Sequence, residues 1–145
     1  MFQHPRRAFA QVHGLDGNGQ IRGMVDFFPA GDGSWVRADI QGLPSADGFF
    51  AFHIHEGSSC ANPQGHYNPQ GKLHPNHAGD LPPLLSNDGH AFTIFRTDRF
   101  SVEEIIGKTV IIHAHPDDFT TQPSGNPGPM IACGEIVGIP VILKK

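Results

Sequence analysis

The sequence predicts an all-β domain of seven or eight short strands, packed as a β-sandwich or a Greek-key barrel. The 145 residues include 18 glycines and 13 prolines without a collagen-like period, which is typical of many short elements joined by turns. Apolar and polar residues alternate in several short runs, as in strands with one buried face. Almost no segment has helical spacing. A chain of this length suits one domain, so residues 1–145 are predicted to form a single domain.

The first half of the chain is predicted to contain four strands. They cover residues 7–13, 21–29, 35–43 and 49–56. The segment LDGNGQ between the first two is a turn, because its glycine and asparagine residues supply the positive φ angles that a tight hairpin requires. Ile21, Val25 and Phe27 share one face of the second strand and are predicted to be buried.

The second half is predicted to contain three strands, at residues 90–96, 109–115 and 130–143. Residues 100–106 form a short helical turn at most, with Ser101 and Glu104 spaced as a capping box. Two long loops separate these elements. The first, of about 33 residues, is far longer than ordinary connections, and loops of that length are usually functional or disordered.

Charge and hydropathy exclude several classes of partner. The formal net charge of −4 leaves no basic footprint, so neither nucleic acid nor an anionic membrane surface is expected as a partner. No apolar run approaches the ~20 residues that span a bilayer. The first residues lack the apolar core of a secretory signal. The chain is therefore predicted to be cytoplasmic, or periplasmic or secreted where a leader has been removed.

Residues 52–80 carry five histidines, one aspartate and one cysteine in a background rich in Gly, Pro and Asn. His53 and His55 lie two apart in a predicted strand and point to the same face. A loop with this density of imidazoles is typically fixed by bound metal, so the stretch is predicted to form a metal site. The candidate ligands are His53, His55, His66, His74, His77 and Asp80, together with His113 from the strand at 109–115.

The donor types indicate which metals such a site would take. Three imidazoles and one carboxylate suit zinc in a closed site, and four imidazoles with an open position suit copper. Six candidate imidazoles fill sites of four and three only if one ring is shared. His66 lies in the middle of the run and has two ring nitrogens. The two cysteines, Cys60 and Cys133, allow either a disulfide or two buried thiols.

The motifs FHIHE, GHYNP, KLHPNHAGDLP, VIIHAHPDD and IACGEI stand in the order of the copper/zinc superoxide dismutase family, and nearly at its spacing. Over residues 52–136 the chain resembles that family. The resemblance implies an eight-stranded Greek-key β-barrel with two long functional loops, and the disproportionation of superoxide to dioxygen and hydrogen peroxide. It also implies copper at His53, His55, His66 and His113 and zinc at His66, His74, His77 and Asp80, with His66 shared and with His66 and His113 catalytic.

Further features are implied by the same resemblance. Cys60 and Cys133 match the cysteines of the family's internal disulfide, and Asp117 matches a carboxylate that links copper and zinc ligands by hydrogen bonds. Superoxide is the implied substrate. A homodimer and a copper-delivery partner are further expectations.

Met130 departs from the family pattern. The family has an arginine here, which attracts and docks the anion, whereas a thioether carries no charge and donates no hydrogen bond. The loop 117–129 also contains no Lys or Arg. We therefore predict a slower enzyme with a shallower salt dependence. The alternative is a non-catalytic protein that binds or buffers copper and zinc. Lys72, Arg96 and Arg99 are candidates for compensating charge.

His115 shares a strand face with His113. We interpret it as a solvated side chain at the strand end, because four other imidazoles already account for copper. An extra ligand and a proton relay are the alternative interpretations.

Overall fold

The computed structural model describes residues 6–44 and 47–139, which form nine strands and one short helix. The strands are β1 Arg7–Gly14, β2 Arg22–Ala30, β3 Gly33–Gln41, β4 Asp47–Phe50, β5 Phe52–His55, β6 Leu84–Asn87, β7 His90–Thr97, β8 Thr109–His113 and β9 Met130–Ile139. The helix is α1 Val102–Ile105. The prediction of an all-β domain is confirmed.

All nine strands belong to one antiparallel sheet, in the order β4-β6-β7-β3-β2-β1-β9-β8-β5. The two edge strands, β4 and β5, are neighbours in the chain and are separated by Ala51 alone. The backbone of Ala51 also bonds to the end of β8, since His113 N donates to Ala51 O at 3.0 Å. The sheet is therefore a nearly closed barrel, as the Greek-key prediction required. The strand predicted at 49–56 is the pair β4 and β5, broken where the chain passes from one edge to the other.

Strand β6 was not predicted. It lies inside the segment 57–89, which was expected to be loop throughout, and it pairs with both β4 and β7. The strand has only four residues and follows Pro82 and Pro83. It is too short for an alternation of apolar and polar residues to be recognised. The first functional loop is shorter than predicted for this reason.

The predicted first hairpin turn and the capping box of α1 are both present, but in the turn the positive φ angle expected of an asparagine is adopted by Asp16. In the first hairpin, Asp16 and Gly17 have positive φ angles of 31° and 84°. Asn18 instead donates its side-chain amide to Leu15 O at 3.1 Å. The capping box is present, since Ser101 N donates to Glu104 Oε2 at 2.8 Å. Within the last predicted strand, residues 140–143 lie outside the described part of the chain.

The barrel interior is filled with apolar side chains. Ile21, Val25 and Phe27 are buried together, as predicted, and Phe27 packs edge-on against Phe100 with ring centroids 6.3 Å apart. Strand β3 alternates between buried and exposed residues along most of its length. Close packing of this kind keeps β5 and β8 fixed, and these strands carry the first histidines of the site. Within the described ranges, no helix is long and apolar enough to cross a membrane.

Candidate metal centre

Three of the predicted ligands come from paired strands. His53 and His55 lie on β5 and His113 ends β8, and β5 pairs with β8 in antiparallel register. Their exposed fractions are 0%, 3% and 5%. The three imidazoles are therefore held on the rigid barrel and removed from solvent.

The histidine-rich loop is fastened to the edge of β5 by backbone hydrogen bonds. Tyr67 N donates to Ile54 O at 2.8 Å, Ile54 N donates to Gly79 O at 2.8 Å, and Gly79 N donates to Tyr67 O at 2.9 Å. A Cβ atom on Gly79 would lie 2.3 Å from Ile54 O, so this close approach requires glycine. These bonds bring His66 and Asp80 beside the histidines of β5.

His66 lies in the middle of the cluster. Its ring centroid is 4.0 Å from that of His53, 4.9 Å from that of His55, 5.4 Å from that of His74 and 5.3 Å from that of His77. Its Nδ1 lies 2.9 Å from Asp80 Oδ1, while its Nε2 is buried without a hydrogen-bond partner. One nitrogen of the ring therefore contacts Asp80, and the other is buried and free.

The carboxylate of Asp80 lies close to three imidazoles. Its carboxylate oxygens lie 2.9 Å from His66 Nδ1, 3.2 Å from His74 Nδ1 and 3.2 Å from His77 Nδ1. Side chains close enough to share an ion also form two overlapping groups, one of His53, His66, His74 and Asp80 and one of His53, His55 and His113. We place His77 with Asp80, because its Nδ1 reaches the same carboxylate. The Nε2 atom of His53 is bonded to Asp117, so that only its Nδ1 is free.

The other ring nitrogens are bonded to the protein. His55 Nδ1 lies 2.6 Å from Gln64 O, and His113 Nδ1 lies 3.0 Å from Gly128 O. Asp117 joins the two halves of the site, with Oδ2 2.8 Å from His53 Nε2 and Oδ1 2.7 Å from His74 Nε2. These acceptors keep the proton on the bonded nitrogen and leave the opposite one free.

The free nitrogens fit metal ions. Buried atoms without a hydrogen-bond partner include His53 Nδ1, His55 Nε2, His66 Nε2, His74 Nδ1 and His113 Nε2. Buried polar atoms are normally paired, and neutral imidazole is a common ligand for zinc and copper. All seven predicted ligands and Asp117 are brought together.

Asp117 is held in place by the second long loop. Asp118 N donates to Gly125 O at 3.0 Å, which turns the chain back over the site. Gly125 has a φ of +82°, and a Cβ there would lie 2.1 Å from Asp117 Oδ1. Glycine is therefore needed for the loop to close over this carboxylate.

Burial shapes the electrostatics of the site. It is the main cause that lowers the pKa of His53 to about 2 and that of His55 to about 4. The pKa of Asp80 is lowered overall, since the hydrogen bond and charges of the surrounding histidines outweigh the opposing effect of burial. These shifts favour neutral His53 and His55 and an ionised Asp80, the protonation states that bind metal.

These shifts predict that acid destabilises the metal-free protein. An unfolded histidine has a pKa of about 6.5, so below that pH the unfolded chain binds protons that folded His53 and His55 do not. Each should lower the free energy of unfolding by about 1.4 kcal/mol per pH unit, from pH 6.5 down towards its folded pKa. Denaturant titrations at pH 7 and pH 5 measure this. In His55→Gln the free energy of unfolding should fall less between pH 7 and pH 5 than in wild type. An equal fall in both proteins would contradict the lowered pKa of His55.

The predicted disulfide is present. Cys60 and Cys133 are bonded across 73 positions of sequence, linking the histidine-rich loop to β9. Cys60 N also donates to Glu135 Oε2 at 3.2 Å. The alternative of two free thiols is therefore wrong, and no free cysteine is present.

A cleft of about 400 Å³ opens onto the cluster. The described residues that line it include His55, His66, His113 and Met130, and none of them is a lysine or an arginine. The sequence left three candidates for compensating charge. Arg96 and Arg99 line a separate cleft beside Pro75, and Lys72 is exposed and lines neither. None of the three is among the described residues that line the cleft beside Met130.

His115 is exposed, as the interpretation of a solvated strand end predicts. Its backbone has a structural role, since His115 N donates to Pro127 O at 2.9 Å.

Several residues that shape the site were not predicted. The Gln122 side chain accepts a bond from His74 N at 2.9 Å and donates one to His74 O at 2.7 Å. The carbonyl groups of Gln64 and Gly128 orient His55 and His113. No sequence signal identifies a backbone carbonyl as a partner, and a single glutamine in a loop has no motif.

The chain is similar to known proteins both in sequence and in structure. The family described as copper/zinc superoxide dismutase (SODC) matches residues 21–136. Superoxide dismutase [Cu-Zn] 2 of Aquifex aeolicus is 32% identical and covers 93% of this chain and 89% of its own length. Superoxide dismutase [Cu-Zn] A of Xenopus laevis is 33% identical over 84% of this chain and 93% of its own. The crystal structure of the clock protein EA4 superposes with a TM-score of 0.82 at 30% identity, covering 94% and 97% of the two chains.

Proposed function

The chain belongs to the copper/zinc superoxide dismutase family, and on this premise we propose that it disproportionates superoxide to dioxygen and hydrogen peroxide at a copper ion joined to zinc through His66. The observation that carries the proposal is the position of His66, whose Nδ1 contacts Asp80 while its Nε2 is buried without a hydrogen-bond partner. The rings of His53, His55, His74 and His77 all lie within 5.4 Å of the His66 ring, centroid to centroid.

The proposed copper ligands are the free nitrogens, and the proposed zinc ligands are the atoms that surround the Asp80 carboxylate. Copper would be held by Nδ1 of His53 and by Nε2 of His55, His66 and His113, all buried without protein partners. Zinc would be held by Nδ1 of His66, His74 and His77 and by the carboxylate of Asp80. The donor types support this division, since copper has high affinity for nitrogen ligands and zinc accepts a closed set of nitrogen and oxygen donors.

When bound, copper supplies one-electron redox chemistry and zinc supplies a Lewis acid that favours deprotonation of the shared ring. The chain fixes both sites before the metals arrive. Asp117 accepts hydrogen bonds from His53 and His74, so a single carboxylate orients one ligand of each ion. The carbonyl of Gly128 holds the ring of His113 at the edge of the cleft. Such outer partners set ring tautomer and orientation.

His66 is the proposed proton carrier. Its Nε2 has no protein partner, and the residue lines the cleft through which a small molecule reaches the cluster. Two superoxide ions and two protons give one dioxygen and one peroxide molecule. We infer that His66 would supply one of the two protons from Nε2, which could take it from solvent only while that nitrogen does not hold copper, and that water would supply the other. His113 lines the same cleft, and its role is to bind copper and position the substrate.

We expect turnover that is slower than diffusion-limited and that depends weakly on salt. The cleft lacks a cationic side chain among its described lining residues, so long-range attraction of an anion is small. Decay of superoxide after pulse radiolysis, measured with protein loaded with both metals over a series of salt concentrations, tests this. A diffusion-limited rate that falls steeply with salt would contradict it.

The second candidate function is copper and zinc binding without catalysis. Met130 and the uncharged cleft favour it, because they disfavour an anionic substrate while leaving every ligand in place. The same radiolysis assay separates the two functions: decay no faster than with metal-free protein, at verified full occupancy, would indicate a buffer. Metal analysis of protein purified without added metals measures the occupancy. The homodimer, the copper-delivery partner and the compartment stay predictions.

A further inference from the structure

Arg99 lies against the segment that joins His74 to Asp80. Its Nη1 donates to Pro75 O at 2.8 Å and to His77 O at 3.1 Å, and it lies 3.4 Å from Asp80 O. One guanidinium nitrogen thus contacts three backbone carbonyls within six consecutive residues. Two of those carbonyls belong to residues whose side chains are proposed zinc ligands.

The contacted segment has a turn of its own and is also bonded to the barrel edge at Gly79, whose carbonyl accepts a hydrogen bond from Ile54 N. Asp80 N donates to His77 O at 3.1 Å, and His77 N donates to Asp80 Oδ2 at 2.9 Å. These bonds close a small turn, which Gly79 attaches to β5 on one side. Arg99 reaches the turn from outside, across a gap of 19 to 24 positions in the sequence.

The segment from which Arg99 projects is firmly attached to the barrel. The next residue, Phe100, is buried in the core, and its carbonyl accepts a bond from Ser34 Oγ at 2.9 Å. The capping box of α1 follows at once. The side chain therefore connects a fixed point of the barrel to the loop that carries the proposed zinc ligands.

We propose that Arg99 is a positioning residue for zinc binding, which holds His77 and Asp80 in their binding arrangement before the ion arrives; this rests on the proposed assignment of the zinc ligands. A charged donor makes stronger bonds to carbonyls than a neutral one. Ordering the loop in advance lowers the conformational entropy that metal binding would otherwise cost. Partners of this kind typically change metal affinity by about 10–100-fold.

Arg96 provides a matched control. It lies three positions before Arg99, is also exposed and lines the same cleft. Its Nη2, however, donates to Ala30 O at 2.8 Å, at the end of β2. Arg96→Ala therefore removes a positive charge from the same surface without removing a bond to the loop, and it separates a contact effect from a charge effect.

The experiment measures zinc dissociation constants for the copper-free full chain with its disulfide intact. Wild type, Arg99→Ala, Arg99→Lys and Arg96→Ala compete for zinc with a chromophoric chelator. Hydrogen exchange at the amides of His77 and Asp80 is followed in the metal-free proteins, and urea unfolding measures global stability. We expect about tenfold weaker zinc binding and faster exchange at both amides in Arg99→Ala. Arg99→Lys should recover part of the affinity, and Arg96→Ala should stay near wild type.

Three results would overturn the proposal, and they differ from one another. Wild type that binds no zinc would remove the ligand assignment itself, and with it the role of Arg99. Wild type that binds zinc, with Arg99→Ala within twofold of it, would remove only the role of Arg99. Equal losses in Arg99→Ala and Arg96→Ala would assign the effect to charge instead of to contacts with the loop.

Discussion

Replacing Met130 by arginine is expected to raise the rate constant for superoxide about tenfold or more at low ionic strength. Met130 lines the cleft with His55, His66 and His113, opposite His113 in the pairing of β8 with β9. An arginine here can pack its stem along the cleft wall and keep its charged head in water. The guanidinium then attracts the anion and donates hydrogen bonds to it, neither of which a thioether does.

The salt dependence of the same variant is the sharper readout. An exposed charge acts over about 10 Å at 0.1 M salt, so the gain of Met130→Arg should shrink as salt is added. Met130→Leu keeps the volume without charge and should match wild type, and Met130→Lys separates charge from the planar hydrogen-bonding geometry of arginine. Each variant needs the same copper and zinc content as wild type. An arginine variant with the wild-type rate at every salt concentration would show that superoxide does not approach through this cleft.

The fold was predictable from the sequence to the extent that each strand has its own alternation of apolar and polar residues. Strands β2, β3 and β7 are long enough to show it. The short segment β6 is a strand because it pairs with β4 and β7. Pairing between distant segments of the chain cannot be recognised in the sequence of four residues. The break at Ala51 has the same origin, because it is set by closure of the barrel and not by the residue itself.

The site was predictable where chemistry requires a particular side chain. Histidines and an aspartate at fixed spacing can be recognised in the sequence as metal-ligand candidates, and the structure brings the predicted ligands together. The partners that orient them were not predictable, because a backbone carbonyl such as that of Gln64 or Gly128 can belong to any residue. Arg99 was considered only as a charge near the cleft. Its hydrogen bonds to Pro75 and His77 depend on how two distant loops meet.

Removing the disulfide with Cys60→Ser is expected to lower the free energy of unfolding of the metal-free protein by about 4 kcal/mol, roughly a thousandfold in the folding equilibrium. The bond closes a loop across 73 positions, and cross-links across long loops restrict the unfolded chain most. The folded chain also loses its covalent link between the histidine-rich loop and β9. Urea denaturation of oxidised wild type and of Cys60→Ser, both stripped of metal, measures the difference.

Two comparisons separate the loss of the cross-link from a change in side-chain packing. The double variant Cys60→Ser/Cys133→Ser differs from Cys60→Ser only in the side chain at position 133. Cys133 is fully buried, so a hydroxyl placed there adds a desolvation cost of its own. If the cross-link dominates, wild type reduced under non-denaturing conditions should be as unstable as Cys60→Ser, since both keep the thiol of Cys133. Reduced wild type that is as stable as the oxidised protein would show that the backbone bonds of the loop to β5, such as Tyr67 N to Ile54 O, fix the loop without the disulfide.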